Sequence, residues 1–141
     1  MNDPLQRASV TLLIHGDDLM PDELTLILGR QPKIGVRKGE SFIGHSDRII
    51  TARTGKWTIS TGCWEPPCID KQITELLTSL PNDLEVWNGL TTRFDCYVTV
   101  GVWFTDDSWT GGILLEPQTL CMLGERGLAL DFDMYAPAAS K

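Results

Sequence analysis

A chain of 141 residues with 42% hydrophobic and 22% charged side chains has the size of one domain and can bury a core without disulfide or metal staples. Its formal charge of −7 argues against a nucleic-acid partner, because phosphates would meet like charge over most of the surface. No apolar run is long enough to cross a bilayer and Asn2-Asp3-Pro4 begins no secretory leader, so the expectation is a cytoplasmic protein with no membrane partner. Cys63, Cys68, Cys96 and Cys121 are then reduced.

Val10, Leu12 and Ile14 alternate with Ser9, Thr11, Leu13 and His15, the period of a half-buried strand, and Gly16-Asp17-Asp18 ends it. Pro21 at a first helical position, Asp22 and Glu23 at the positive end of the helix dipole, and Leu24, Ile27 and Leu28 at helical spacing predict a short helix stopped by Gly29. From Arg30 to Arg53 the pattern weakens under Pro32, Gly35, Gly39 and Gly44, which predicts loop with one edge strand at Ile49-Ile50-Thr51. Half of the Lys and Arg residues fall between Lys33 and Lys56, and a solvated loop accounts for them better than an anion site.

Gly55 to Ser60 alternates again, with Trp57 and Ile59 on one side, and Glu65-Pro66-Pro67 then breaks the chain. A helix follows, with Ile69, Ile73, Leu76, Leu77 and Leu80 on one stripe, Asp70, Lys71, Gln72 and Glu75 opposite, and Pro81 at its end. Leu84, Trp87 and Leu90 suggest a further amphipathic turn, from which Asn88-Gly89 should release the chain.

The long segment from Phe94 to Phe104 alternates Phe94, Cys96, Val98, Val100, Val102 and Phe104 with Asp95, Tyr97, Thr99, Gly101, Trp103 and Thr105, and its length predicts a central strand. Asp106-Asp107-Ser108 and Gly111-Gly112 should turn around Trp109, a third helix should pack through Leu120 and Leu123, and Leu128 to Tyr135 should alternate as a final strand. Beyond Pro137 a disordered tail is expected. The strand and leucine-rich helix closing on Gly29 are echoed by the long strand and the helix closing on Gly124. The expected fold is therefore α+β over residues 1–136: one antiparallel or mixed sheet with helices on one face, a ferredoxin-like variant from two related halves.

If the helices cover the Val10/Val98/Leu130 face, the other face displays Thr11, His15, Tyr97, Thr99, Trp103, Asp131, Asp133 and Tyr135. Aromatic rings among carboxylates on a rigid strand surface could hold a ligand or a partner's basic side chain, or could simply be cross-strand pairs on a wet face. His15, Tyr97, Trp103, Asp131, Asp133 and Tyr135 are the candidate binding residues. Asp131 and Asp133, two apart on one strand, also have the spacing of paired acid–base carboxylates or hard metal ligands, and His15 stands near acids as a general base would. Neither is joined by a recognisable nucleophile or third ligand. Cys63 and Cys68 lack a second pair for zinc and read as free thiols, while Cys96 and Cys121 fall on apolar sides and read as core. No glycine-rich phosphate loop or dinucleotide fingerprint is present, so no cofactor is implied.

The run Leu12-Leu13-Ile14-His15-Gly16-Asp17-Asp18-Leu19, the following Pro21-Asp22-Glu23-Leu24 and Leu28-Gly29, then Lys38-Gly39-Glu40, Gly55-Lys56-Trp57, Ile73-Thr74-Glu75-Leu76-Leu77 and Leu130-Asp131-Phe132-Asp133-Met134-Tyr135 resemble the uncharacterised, mainly bacterial family called domain of unknown function 4279. Cys63-Trp64-Glu65-Pro66-Pro67-Cys68 is not part of that pattern. The resemblance implies a small α+β cytoplasmic domain and transfers no catalytic residue; some acidic proteins of this kind act as immunity or partner-binding factors. The leading expectation is a non-catalytic protein-binding domain using the open face. The alternatives are a small-molecule or metal-binding enzyme or sensor built on the same carboxylates, and a homodimer seam.

Overall fold

The computed structural model describes residues 5–105 and 112–136. The expected turn around Trp109 and the tail after Pro137 lie outside the described residues. In chain order the elements are β1 (Leu5–Gly16), α1 (Pro21–Leu28), β2 (Ile34–Val36), β3 (Ser41–Ile43), β4 (Ile49–Thr51), β5 (Gly55–Trp64), α2 (Ile69–Thr78), α3 (Leu84–Arg93), β6 (Asp95–Phe104), α4 (Pro117–Glu125) and β7 (Ala129–Tyr135).

Five strands form a mixed sheet in the order β2-β5-β1-β6-β7, and β3 and β4 form a separate antiparallel ribbon. β1 is antiparallel to both β5 and β6, β2 is antiparallel to β5, and β7 runs parallel to β6. It follows that β1 and β2 are parallel with β5 between them, while β5 and β6 are parallel with β1 between them. Two strand–helix–strand units are thus interlocked, and α4 with β7 extends the second at one edge. The helix that echoes α1 in sequence, α4, belongs to this extension, and α2 and α3 supply the crossover of the second interlocked unit.

One face of the sheet carries Ala8, Val10, Leu12, Ile14, Trp57, Ile59, Cys96, Val98, Val100 and Val102 into a single cluster. Leu24 and Leu28 of α1, Ile69, Ile73, Leu76 and Leu77 of α2, Trp87 and Leu90 of α3 and Leu123 of α4 roof that cluster from the same side. The buried rings keep their polar handles satisfied, as burial requires. Trp57 Nε1 donates to Thr25 Oγ1 at 3.1 Å and Trp87 Nε1 to the Pro81 carbonyl at 2.7 Å.

Several expectations from the sequence change here. The central strand is β1; β6 lies beside it, with neighbours on both sides. The Arg30–Arg53 stretch holds β2, β3 and β4, and Ile49–Thr51 pairs with β3 instead of edging the main sheet. Asn88 and Gly89 lie inside α3, which continues to Arg93 because Leu90, on the next turn, is buried with Trp87. α4 buries Thr119 and Leu123, while Leu120 is 52% exposed and Cys121 is exposed as well. Gly124 lies within α4, and Gly29 ends α1 at φ 70.

Gln72, expected on the polar side of α2, is fully buried. Its Nε2 donates to the Ala8 carbonyl at 2.8 Å and to Thr61 Oγ1 at 3.3 Å, and its Oε1 accepts from the Cys68 amide at 3.2 Å. The reason is local. The β1–β5 register shifts between Ser9 and Thr11, where Gly62 takes φ 74, a left-handed conformation that glycine adopts without a Cβ penalty. This bulge interrupts the ladder, and Gln72 supplies hydrogen bonds there.

Candidate functional site

The register of the sheet dictates what stands on the uncovered face. His15 is directly opposite Lys56 of β5 and Asp95 of β6. Tyr97 pairs with Leu13 and Ala129, Thr99 with Thr11 and Asp131, Gly101 with Ser9 and Asp133, and Trp103 with Arg7 and Tyr135. Directly paired residues point to the same face. All six candidate residues therefore share one face, and none is roofed by a helix; Tyr97, Trp103 and His15 are partly exposed, and Asp131, Asp133 and Tyr135 exposed.

They do not form one cluster. At one end His15 Nε2 lies 3.3 Å from Asp95 Oδ2, and the imidazole meets the Tyr97 ring edge-on at 5.7 Å and 86°. Burial raises the Tyr97 phenol above its ordinary range, and the nearby negative charges of Asp95, Asp131 and Asp133 push the same way. At the other end Trp103 stacks on Tyr135 at 4.9 Å and 15°, and the Arg7 guanidinium lies 4.8 Å from the Trp103 ring centre. A cation, an indole and a phenol thus sit side by side across three adjacent strands. Gly101 makes room for this, since a Cβ there would stand 3.1 Å from the Trp103 ring.

Tyr97 and Trp103 are six residues apart on one strand, about 20 Å, so His15 and Trp103 cannot contact one small ligand directly. Asp131 and Asp133 lie between the two ends on β7, and neither carboxylate has an ionic partner among the described residues. No group of three His, Cys, Asp or Glu side chains placed to hold a metal ion occurs among the described residues. A hollow of about 450 Å³ runs along α1 beside Thr25 and Arg30, and one of about 480 Å³ lies between Pro21, Arg37 and Glu40; neither touches the six residues.

Three members of this face escaped the sequence reading as candidates. Asp95 falls on the polar side of its strand by alternation, and nothing in the sequence links it to His15. Lys56 closes the basic stretch that begins at Lys33, and its ammonium lies 5.5 Å from the Phe42 ring of β3. Arg7 lies in β1, which begins at Leu5, and the polar alternation Arg7, Ser9, Thr11 carries the signal. Of the other basic residues, Arg37, Lys38, Arg48 and Arg53 are exposed, and Lys38 pairs with Asp17 at 3.2 Å. Cys63 and Cys68 are exposed free thiols, and Cys96 is buried with its pKa pushed up to about 12 by desolvation and by Asp95.

No helix among the described residues is long and apolar enough to cross a membrane. Compared with known proteins, residues 6–137 match the model of one family, described as Domain of unknown function (DUF4279). No curated protein and no solved structure matches the chain.

Proposed function

The chain belongs to the DUF4279 family, a domain of unknown function, and from that premise we propose that it is a cytoplasmic, non-catalytic binding domain whose open sheet face engages a basic protein partner, in the manner of an immunity factor. The observation that carries this reading is the Arg7–Trp103–Tyr135 stack on the same face as two exposed carboxylates that have no ionic partner among the described residues. Interface hot spots favour Trp, Tyr and Arg, because these side chains bury large areas at low entropy cost. The carboxylates would steer a cationic surface toward them, and the overall charge of −7 acts in the same direction.

The fold reading goes with it. We take the two interlocked strand–helix–strand units as a ferredoxin-like core, widened by α4 and β7 to give a larger face.

The test is capture of partners from native extract by the tagged chain and by a variant carrying Trp103→Ala, Asp131→Ala and Tyr135→Ala. A protein retained by the wild type and lost from the variant, with circular dichroism unchanged, supports the proposal. Identical captured sets from two folded proteins refute it.

A further inference from the structure

The two edges of the main sheet differ. β2 is a three-residue strand that follows Pro32, a short and poorly templating edge. β7 is seven residues long and contains no proline, and it pairs with β6 in unbroken register from Ala129 to Tyr135. Alternate residues of such a strand turn both backbone N–H and C=O outward. Among the described residues no strand pairs with that side of β7.

We propose that the outer edge of β7 accepts an extended strand from the partner. That strand would carry Lys or Arg on the side facing Asp131 and Asp133 and apolar side chains on the side facing Leu130, Phe132 and Met134. The inference rests on the binding reading above and states how the partner is held. Main-chain hydrogen bonds would supply affinity and the two rows of side chains would supply selectivity, as in other cases of strand addition.

Charge decides the occupant. A second copy paired antiparallel about Phe132 would set Asp131 opposite Asp133 twice over, and like charges directly opposite one another are destabilising. A basic strand reverses the sign of both contacts. On the other side of the strand, Met134 is 54% exposed and Leu130 and Phe132 are half-buried, so an added apolar row has a surface to cover.

The experiment uses the whole chain, labelled with ¹⁵N, and a capped peptide alternating Lys and Val as the probe. Controls are a Glu–Val peptide and two N-methylated Lys–Val peptides, one methylated on every Lys and the other on every Val. Strand addition predicts amide shift changes concentrated on residues 129–135, loss of binding with one methylated peptide only, no binding of the Glu–Val peptide, and at least tenfold weaker binding to Asp131→Asn/Asp133→Asn. Absence of shifts on β7 at millimolar peptide overturns the proposal. So does light scattering that shows a dimer with β7 amides protected at its seam. Binding that survives both methylated peptides but falls with Trp103→Ala also overturns the edge pairing, while leaving the open face as the binding surface.

Discussion

Replacing Gln72 with Met keeps most of the side-chain volume and removes the polar tie between α2 and the β1–β5 bulge. Three hydrogen bonds go with it, to the Ala8 carbonyl, Thr61 Oγ1 and the Cys68 amide. They are not equal. Cys68 is exposed, so its amide can turn to water, and the Thr61 hydroxyl keeps the Gly62 carbonyl and the Val10 amide as partners. The Ala8 carbonyl belongs to a residue with 0% exposure, where water cannot stand in for the lost amide, and each net hydrogen bond removed costs roughly 0.5–1.5 kcal/mol. Gln72→Met should therefore destabilise the fold by about 2 kcal/mol, and Gln72→Ala, which adds a cavity, by about 4 kcal/mol. Urea unfolding followed by tryptophan fluorescence measures both, and at constant slope the first should lower the midpoint by on the order of 1 M. A Gln72→Met loss below about 0.5 kcal/mol would mean that the bulge does not depend on this side chain.

Tyr97 gives a pH test. Its pKa is raised from 10.0 in the fold, so the neutral phenol is favoured there, and the stability this confers is complete below pH 10 and lost as pH rises through the folded value. In Tyr135→Phe, tyrosinate absorbance should show a midpoint above 10.0 that falls part of the way back in Asp131→Asn/Asp133→Asn, since burial is the larger cause; a midpoint at or below 10.0 contradicts the packing. Cys96 is buried while Cys63, Cys68 and Cys121 are exposed, so a thiol reagent should label three sites in the native protein and the fourth only after unfolding. Gly62→Ala meets no atom within 4 Å and acts through φ 74 alone, so it should cost about 1 kcal/mol in equilibrium unfolding. A neutral result would mean that the bulge can relax.

The face shared by Tyr97, Trp103 and Asp131 was legible because period-two alternation survives wherever one side of a strand is buried and the other wet. The gathering of His15 with Asp95 at one end and of Arg7 and Tyr135 with Trp103 at the other was not, because it depends on strand register, which no single strand encodes. Gln72 misled for a related reason. Helical periodicity ranks residues by polarity, whereas burial of this amide is set by a ladder defect on another element. Asn88-Gly89 reads as a turn in isolation, yet the burial of Trp87 and Leu90 carries α3 past it, as tertiary packing commonly overrides weak local preference. Ile34-Gly35-Val36 is too short to show any period at all.

The placement of β1 at the middle of the sheet has a consequence for assembly. Leu12 lies between Ile59 and Val98, so the first strand of this sheet to be synthesised pairs with segments made much later. Until β5 exists, Val10, Leu12 and Ile14 have no strand to lie against, and until β6 arrives their other flank stays bare. Such long-range closure slows folding relative to helical domains of similar length and leaves a sticky apolar ribbon waiting on the nascent chain, where holdase chaperones would be expected to bind.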